Sequence, residues 1–246
     1  MKILPPVTAP WQEALSRRHA PPALSYEHYR PCLRWEFGFS CAFCLLHESD
    51  IAHAGVEGWG LTQIEHFVPQ SHDRSRRDDY TNLFYICRRC NLERGSQKNE
   101  GPNGETLLNP CDDIWGRHFE VVLDEIHPRD GEDKHATYTR DTYGFNTPAK
   151  IKIRAVRRQM MNRCKRLLER WEGIGERLLD FAVEKRSIEG VDLAEDLAEM
   201  RRLILFSLYR YEAVPNDRDI SCRCNEPDLC TLPKVLDEQT FMVSTD

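Results

Sequence analysis

Two Cys-x-x-Cys pairs, Cys41/Cys44 and Cys87/Cys90, enclose the strip Ile64-Glu65-His66-Phe67-Val68-Pro69, and the second pair runs directly into Asn91. Four thiols in two close pairs are the donor set of a tetrahedral zinc site. Free cysteine is also a common core residue, so four unrelated buried thiols are the alternative. The repeated x-x spacing favours the metal. The residues between the pairs are of types that suit phosphodiester hydrolysis. That reaction needs a base to take a proton from water, for which histidine is suited. It also needs a hard divalent cation such as Mg²⁺, which prefers oxygen ligands.

These residues must be placed by local structure. Glu65 and His66, adjacent on a strand, point to opposite faces. A carboxylate holding metal and an imidazole facing substrate then share a cleft only if the chain bends there. Asn82 precedes the apolar strand Leu83-Phe84-Tyr85-Ile86, and Asn91 stands where a helix begins after the second knuckle. Taken singly, Glu65 reads as a surface charge, His66 as a core or surface histidine, and the two asparagines as turn or cap residues.

The pattern Cys41-x2-Cys44, Glu65-His66 with Pro69, Asn82, and Cys87-x2-Cys90-Asn91 with Arg94 resembles the HNH endonucleases, over roughly residues 38–98. The resemblance implies a ββα-metal (treble-clef) fold in which Zn²⁺ on the four cysteines is structural. It implies His66 as general base, Glu65 and Asn91 as ligands of a catalytic Mg²⁺ or Mn²⁺, and Asn82 as the residue orienting His66. Glu65 stands where the family more often has Asp, Asn91 where His is frequent, and Arg94 where Lys is usual. The activity so implied is metal-dependent cleavage of DNA, with Arg88, Arg89, Arg94 and Lys98 as phosphate contacts. The motif forms are also similar to HNH subunits of bacterial anti-phage defence systems, some of which work beside an ATPase partner. The competing reading is a non-catalytic treble-clef zinc module that binds nucleic acid or a protein partner.

Beyond the cysteine-framed segment, His118 to Leu123 reads as a strand and Ala136-Thr137-Tyr138-Thr139 as its returning partner across the Arg129–Glu132 turn. His118 is read as a strand histidine without a role. From Pro148 the pattern turns helical, with Ile153, Val156, Met160, Cys164, Leu167 and Trp171 forming one stripe. Residues 150–170 carry nine Lys/Arg against one Glu, so the opposite face is expected to suit a phosphate backbone. A second helix carries Leu193, Leu197, Met200, Ile204, Leu208 and Tyr211 on one face. The expected architecture is α+β: an N-terminal arm over 1–30, a zinc-stapled HNH core over 31–125, a β-ribbon and linker over 126–148, a helical bundle over 149–214, and an irregular tail over 215–246. Cys222, Cys224 and Cys230 in that tail are candidates for a second metal site.

Hydrophobic residues at 40% and charged residues at 30% describe a globular chain, and the net charge of -6 argues against a protein that coats nucleic acid indiscriminately. Local basic patches remain, at Arg74, Arg76 and Arg77 and around the second knuckle. No apolar run approaches the roughly twenty residues that span a bilayer. The Met1–Pro6 start lacks the apolar core of an export signal, so a cytoplasmic protein is expected.

Overall fold

The computed structural model describes residues 23–37, 39–53, 62–185, 196–201 and 203–204. The tail cysteines Cys222, Cys224 and Cys230, most of the N-terminal arm and most of the second helix lie outside these residues.

Two short helices open the described chain, α1 (Arg30–Glu36) and α2 (Glu48–His53), and the first cysteine pair lies between them. Here Cys41 N–H donates to the Leu46 carbonyl, Leu45 N–H to the Cys41 carbonyl, and the ends are joined by a Ser40–His47 bridge. Leu45 takes a positive φ of 64°, which the tight knuckle requires. The Ala42 N–H donates to the Tyr85 carbonyl at 2.8 Å, seating this knuckle on the neighbouring sheet.

That sheet is an antiparallel pair, β1 (Gln63–His66) and β2 (Leu83–Ile86), in the register Gln63↔Ile86, Ile64↔Tyr85, Glu65↔Phe84, His66↔Leu83. Every residue of β2 is buried, as its unbroken apolar run requires. Helix α3 (Arg88–Arg94) follows at once, capped by the Cys87 sulfur, which accepts from Cys90 N–H. A knuckle cysteine is therefore also the helix cap. Two strands, a helix and a four-cysteine cluster make a mixed α/β core, with helices following toward the C-terminus.

Helix α4 (Trp115–His118) buries Trp115, whose indole N–H donates to the Phe43 carbonyl at 3.0 Å. A second hairpin pairs β3 (Phe119–Val122) with β4 (Glu125–Pro128). Its two turn residues, Leu123 and Asp124, both sit at positive φ, 47° and 71°. The returning strand is thus Glu125–Pro128, and the expected strand at Ala136–Thr139 lies instead in helix α5 (Lys134–Thr142). The Asp133 carboxylate accepts from Ala136 N–H, and this cap starts a helix despite the local β-branched residues.

The long helix α6 (Pro148–Lys185) begins with proline at its first turn, where no N–H is needed. Its inward face differs from the expected stripe. Val156 and Leu167 are exposed, while Lys150, Ile153, Arg154, Arg157, Met161 and Cys164 are buried. Three of the cations expected to face a phosphate backbone therefore point into the protein.

Candidate metal centre and the Glu65–His66 strand

The Sγ atoms of Cys41, Cys44, Cys87 and Cys90 all lie within 4.8 Å of one another, and all four residues are fully buried. The knuckle before α2 supplies two, and the entry to α3 supplies the others. Among the described residues, this is the group of His, Cys, Asp and Glu side chains whose donor atoms converge enough to hold a metal ion. Lys150 of α6 lies against it, with its Nζ 3.1 Å from Cys90 Sγ.

Glu65 lies on the face of β1 that α3 covers. Its Oε1 is 3.3 Å from Arg94 Nε, in a nearly solvent-free setting. Burial pushes the Glu65 carboxyl up to about 7, opposed by the Arg94 charge. Arg94 is fully buried and committed throughout. Its Nε donates to Tyr143 OH at 3.0 Å, its Nη2 to the Phe67 carbonyl at 2.9 Å and to Asn99 Oδ1 at 2.7 Å, and its Nη1 to the Gln97 carbonyl. The expected role of Arg94 as a phosphate contact is therefore replaced by an internal one.

Asn91 lies one turn before Arg94 on α3, and its Nδ2 donates to Gln63 Oε1 at 2.7 Å. Gln63 and Glu65 share a strand face, as i and i+2 must. Asn91 and Arg94 likewise share a helix face. The two pairs form consecutive rungs between β1 and α3.

His66 is on the opposite face. Its Nε2 donates to the Arg77 carbonyl at 2.8 Å, Gln70 Nε2 lies 3.3 Å from its Nδ1, and the Tyr26 ring packs edge-on at 4.9 Å. In the neutral ring, donation from Nε2 leaves Nδ1 as the acceptor. Burial above all lowers the His66 imidazole below its ordinary range.

Asn82 does pin the loop between β1 and β2. Its Oδ1 accepts from Val68 N–H at 2.8 Å, and its Nδ2 donates to the Val68 and Arg76 carbonyls, both at 3.1 Å. The group that holds the His66 ring is the Arg77 carbonyl, eleven residues away in sequence.

These positions correct the expectation of a metal-dependent endonuclease centre built from His66, Glu65 and Asn91. The β1–β2 register continues through His66 without a bulge, so the bend needed to bring its imidazole beside the Glu65 carboxylate does not occur. Glu65 is already met by a fixed guanidinium, and Asn91 by Gln63. Among the described residues the four sulfurs are the cluster able to hold a metal, and a Mg²⁺ or Mn²⁺ centre on Glu65 and Asn91 is not assembled there.

Of the other basic residues near the second knuckle, Arg88, Arg89 and Lys98 are exposed, and α3 also presents Leu92 to solvent. His118 ends α4 and pairs with Asp133 at 2.8 Å, beside the cap of α5. No helix among the described residues is long and apolar enough to cross a membrane. Sequence reasoning missed Arg94 as an internal strut and Lys150 beside the sulfurs. Neither carries a local signal, because both partners are remote in sequence.

A family model described as HNH endonuclease matches residues 41–97, less than a quarter of the chain. No curated protein matches the chain.

Proposed function

Because residues 41–97 form an HNH endonuclease domain, we propose that this chain uses the domain as a zinc-held module that binds nucleic acid without cutting it. The observation that carries this reading is the division of Glu65 and His66 between opposite faces of β1, with Arg94 already lying against the Glu65 carboxylate. A binding module keeps the scaffold and the basic rim of the family while its interior is used for cohesion.

Zinc suits the donor set. Tetrahedral coordination at about 2.3 Å places sulfurs about 3.8 Å apart. The Cys44 and Cys87 sulfurs are 3.8 Å apart. The four thiolates would hold Zn²⁺ and tie the first knuckle to α3 in treble-clef fashion. When bound, the metal supplies cross-linking between chain segments remote in sequence.

Nucleic acid is favoured as partner because HNH domains generally act on it, and because Arg88 and Arg89 stand exposed on α3 with Lys98 exposed just beyond it. Phosphate neutralisation by such residues gives affinity without sequence readout.

The test is a paired assay on full-length protein of measured zinc content. Duplex DNA, single-stranded DNA and RNA are each titrated for binding, then incubated with Mg²⁺ and with Mn²⁺. Salt-sensitive binding with intact substrate is expected. Metal-dependent cleavage that disappears in His66→Ala would overturn the proposal, and so would zinc-loaded protein that binds none of the three.

A further inference from the structure

Lys150 has no solvent exposure, yet it is the third residue of α6, where a lysine would ordinarily reach water. An ammonium carries three N–H donors. Here all three have acceptors: Cys90 Sγ at 3.1 Å, the Tyr143 carbonyl at 2.6 Å and the Gly144 carbonyl at 2.8 Å. One turn later Arg154 is also buried, donating to the Asp124 carbonyl at 2.5 Å and the Phe145 carbonyl at 2.8 Å. Four thiolates around a divalent cation leave a net charge of −2 in a solvent-free interior, and such a charge needs compensation. Lys150 of α6 is a buried cation in direct contact with that cluster.

We propose that Lys150, assisted by Arg154, is the built-in countercharge of the four-cysteine site, so that metal retention and the docking of α6 on the core are one linked event. This rests on the zinc reading above and extends it to a helix outside the family-matched residues. Two consequences follow from the geometry. The N–H···S contact draws charge from Cys90 and makes that sulfur a poorer nucleophile. The same contact fixes the first turn of α6, since Tyr143 and Gly144 lead into it. Burial lowers the Arg154 guanidinium below its ordinary value, and the Cys44 and Cys90 sulfurs partly oppose that shift.

The experiment uses full-length zinc-loaded protein and compares wild type, Lys150→Met and Ile153→Ala. Lys150→Met removes the charge at similar volume. Ile153→Ala loosens the α6 packing without touching charge. Three quantities are read: zinc release to a chromogenic chelator, alkylation of Cys90 by iodoacetamide followed by mass spectrometry, and amide exchange across residues 150–164 before and after chelation. Lys150→Met is expected to release zinc at least ten-fold faster and to be alkylated at Cys90 several-fold faster. Ile153→Ala is expected to raise exchange in α6 while zinc release stays within two-fold of wild type. In wild type, α6 protection is expected to fall at the rate at which zinc leaves. Zinc release from Lys150→Met within two-fold of wild type overturns the proposal. So does an α6 that stays protected in the metal-free protein, and this arm decides the matter if Lys150→Met does not fold. Wild type purified without zinc overturns both this linkage and the function above. Zinc-loaded protein that ignores nucleic acid overturns only the function.

Discussion

Arg94 Nε and Glu65 Oε1 lie 3.3 Å apart in the interior, and this pair joins α3 to β1 where the HNH resemblance implies a divalent cation. The guanidinium also holds the Phe67 and Gln97 carbonyls, so its removal strands a carboxylate and two backbone acceptors together. Truncating one member of a buried pair generally costs more than replacing both. Arg94→Met should therefore destabilise the protein by about 3–5 kcal/mol. The double variant Glu65→Met/Arg94→Met should recover a substantial part of that loss. Urea unfolding of both variants checks this, and a double variant no better than the single one would discount the pair.

The same carboxylate makes stability depend on pH. Glu65 titrates at about 7 in the folded protein, above the unfolded value of about 4.3. The folded state thus binds the proton more tightly. Its contribution is fully present below the unfolded value and is lost as pH rises through about 7. The linkage amounts to roughly 4 kcal/mol. Unfolding free energies measured from pH 5 to 8 should fall less steeply in Glu65→Gln than in wild type. Parallel curves would show that Glu65 does not titrate in this window.

Binding should respond to the rim of α3. On duplex DNA, every phosphate that is no longer neutralised lowers the slope of log K against log salt by about 0.9. Arg88→Ala/Arg89→Ala should bind more weakly on every sequence and reduce that slope by about 2. An unchanged slope would place the nucleic-acid surface elsewhere.

Asn82 is nearly inaccessible and satisfies Val68 twice and Arg76 once. Asn82→Ala leaves buried backbone groups without partners, at about 1–3 kcal/mol for each group stranded. Amide exchange at Val68 should accelerate, and the melting temperature should drop by several degrees. Protection at Val68 equal to wild type would mean that the loop is held by other contacts.

The cysteine cluster and the β1–β2–α3 order were legible because x-x spacing and apolar runs act over a few residues. The roles of Arg94 and Lys150 were not, since their deciding partners come from remote segments: Glu65 and Tyr143 for one, Cys90 for the other. A charge bias counted along α6 suggested a face suited to a phosphate backbone, whereas Lys150, Arg154 and Arg157 point inward and Val156 points outward. Strand alternation was read correctly for Glu65 and His66. The assumed bend was the step that failed, because the ladder with β2 includes both residues in regular register.

The Leu123–Asp124 turn places two non-glycine residues in the left-handed region, and Leu123 is 86% exposed. A hairpin so poorly encouraged by its own corner must be closed by outside help. That help comes from α6, through Arg154 on the Asp124 carbonyl and Arg158 on its carboxylate at 2.8 Å, and from Asn146 beside Ile126. A ribbon that depends on those clamps is expected to close after them in folding. Conservative truncation at Val121 should speed unfolding while leaving the refolding rate nearly unchanged.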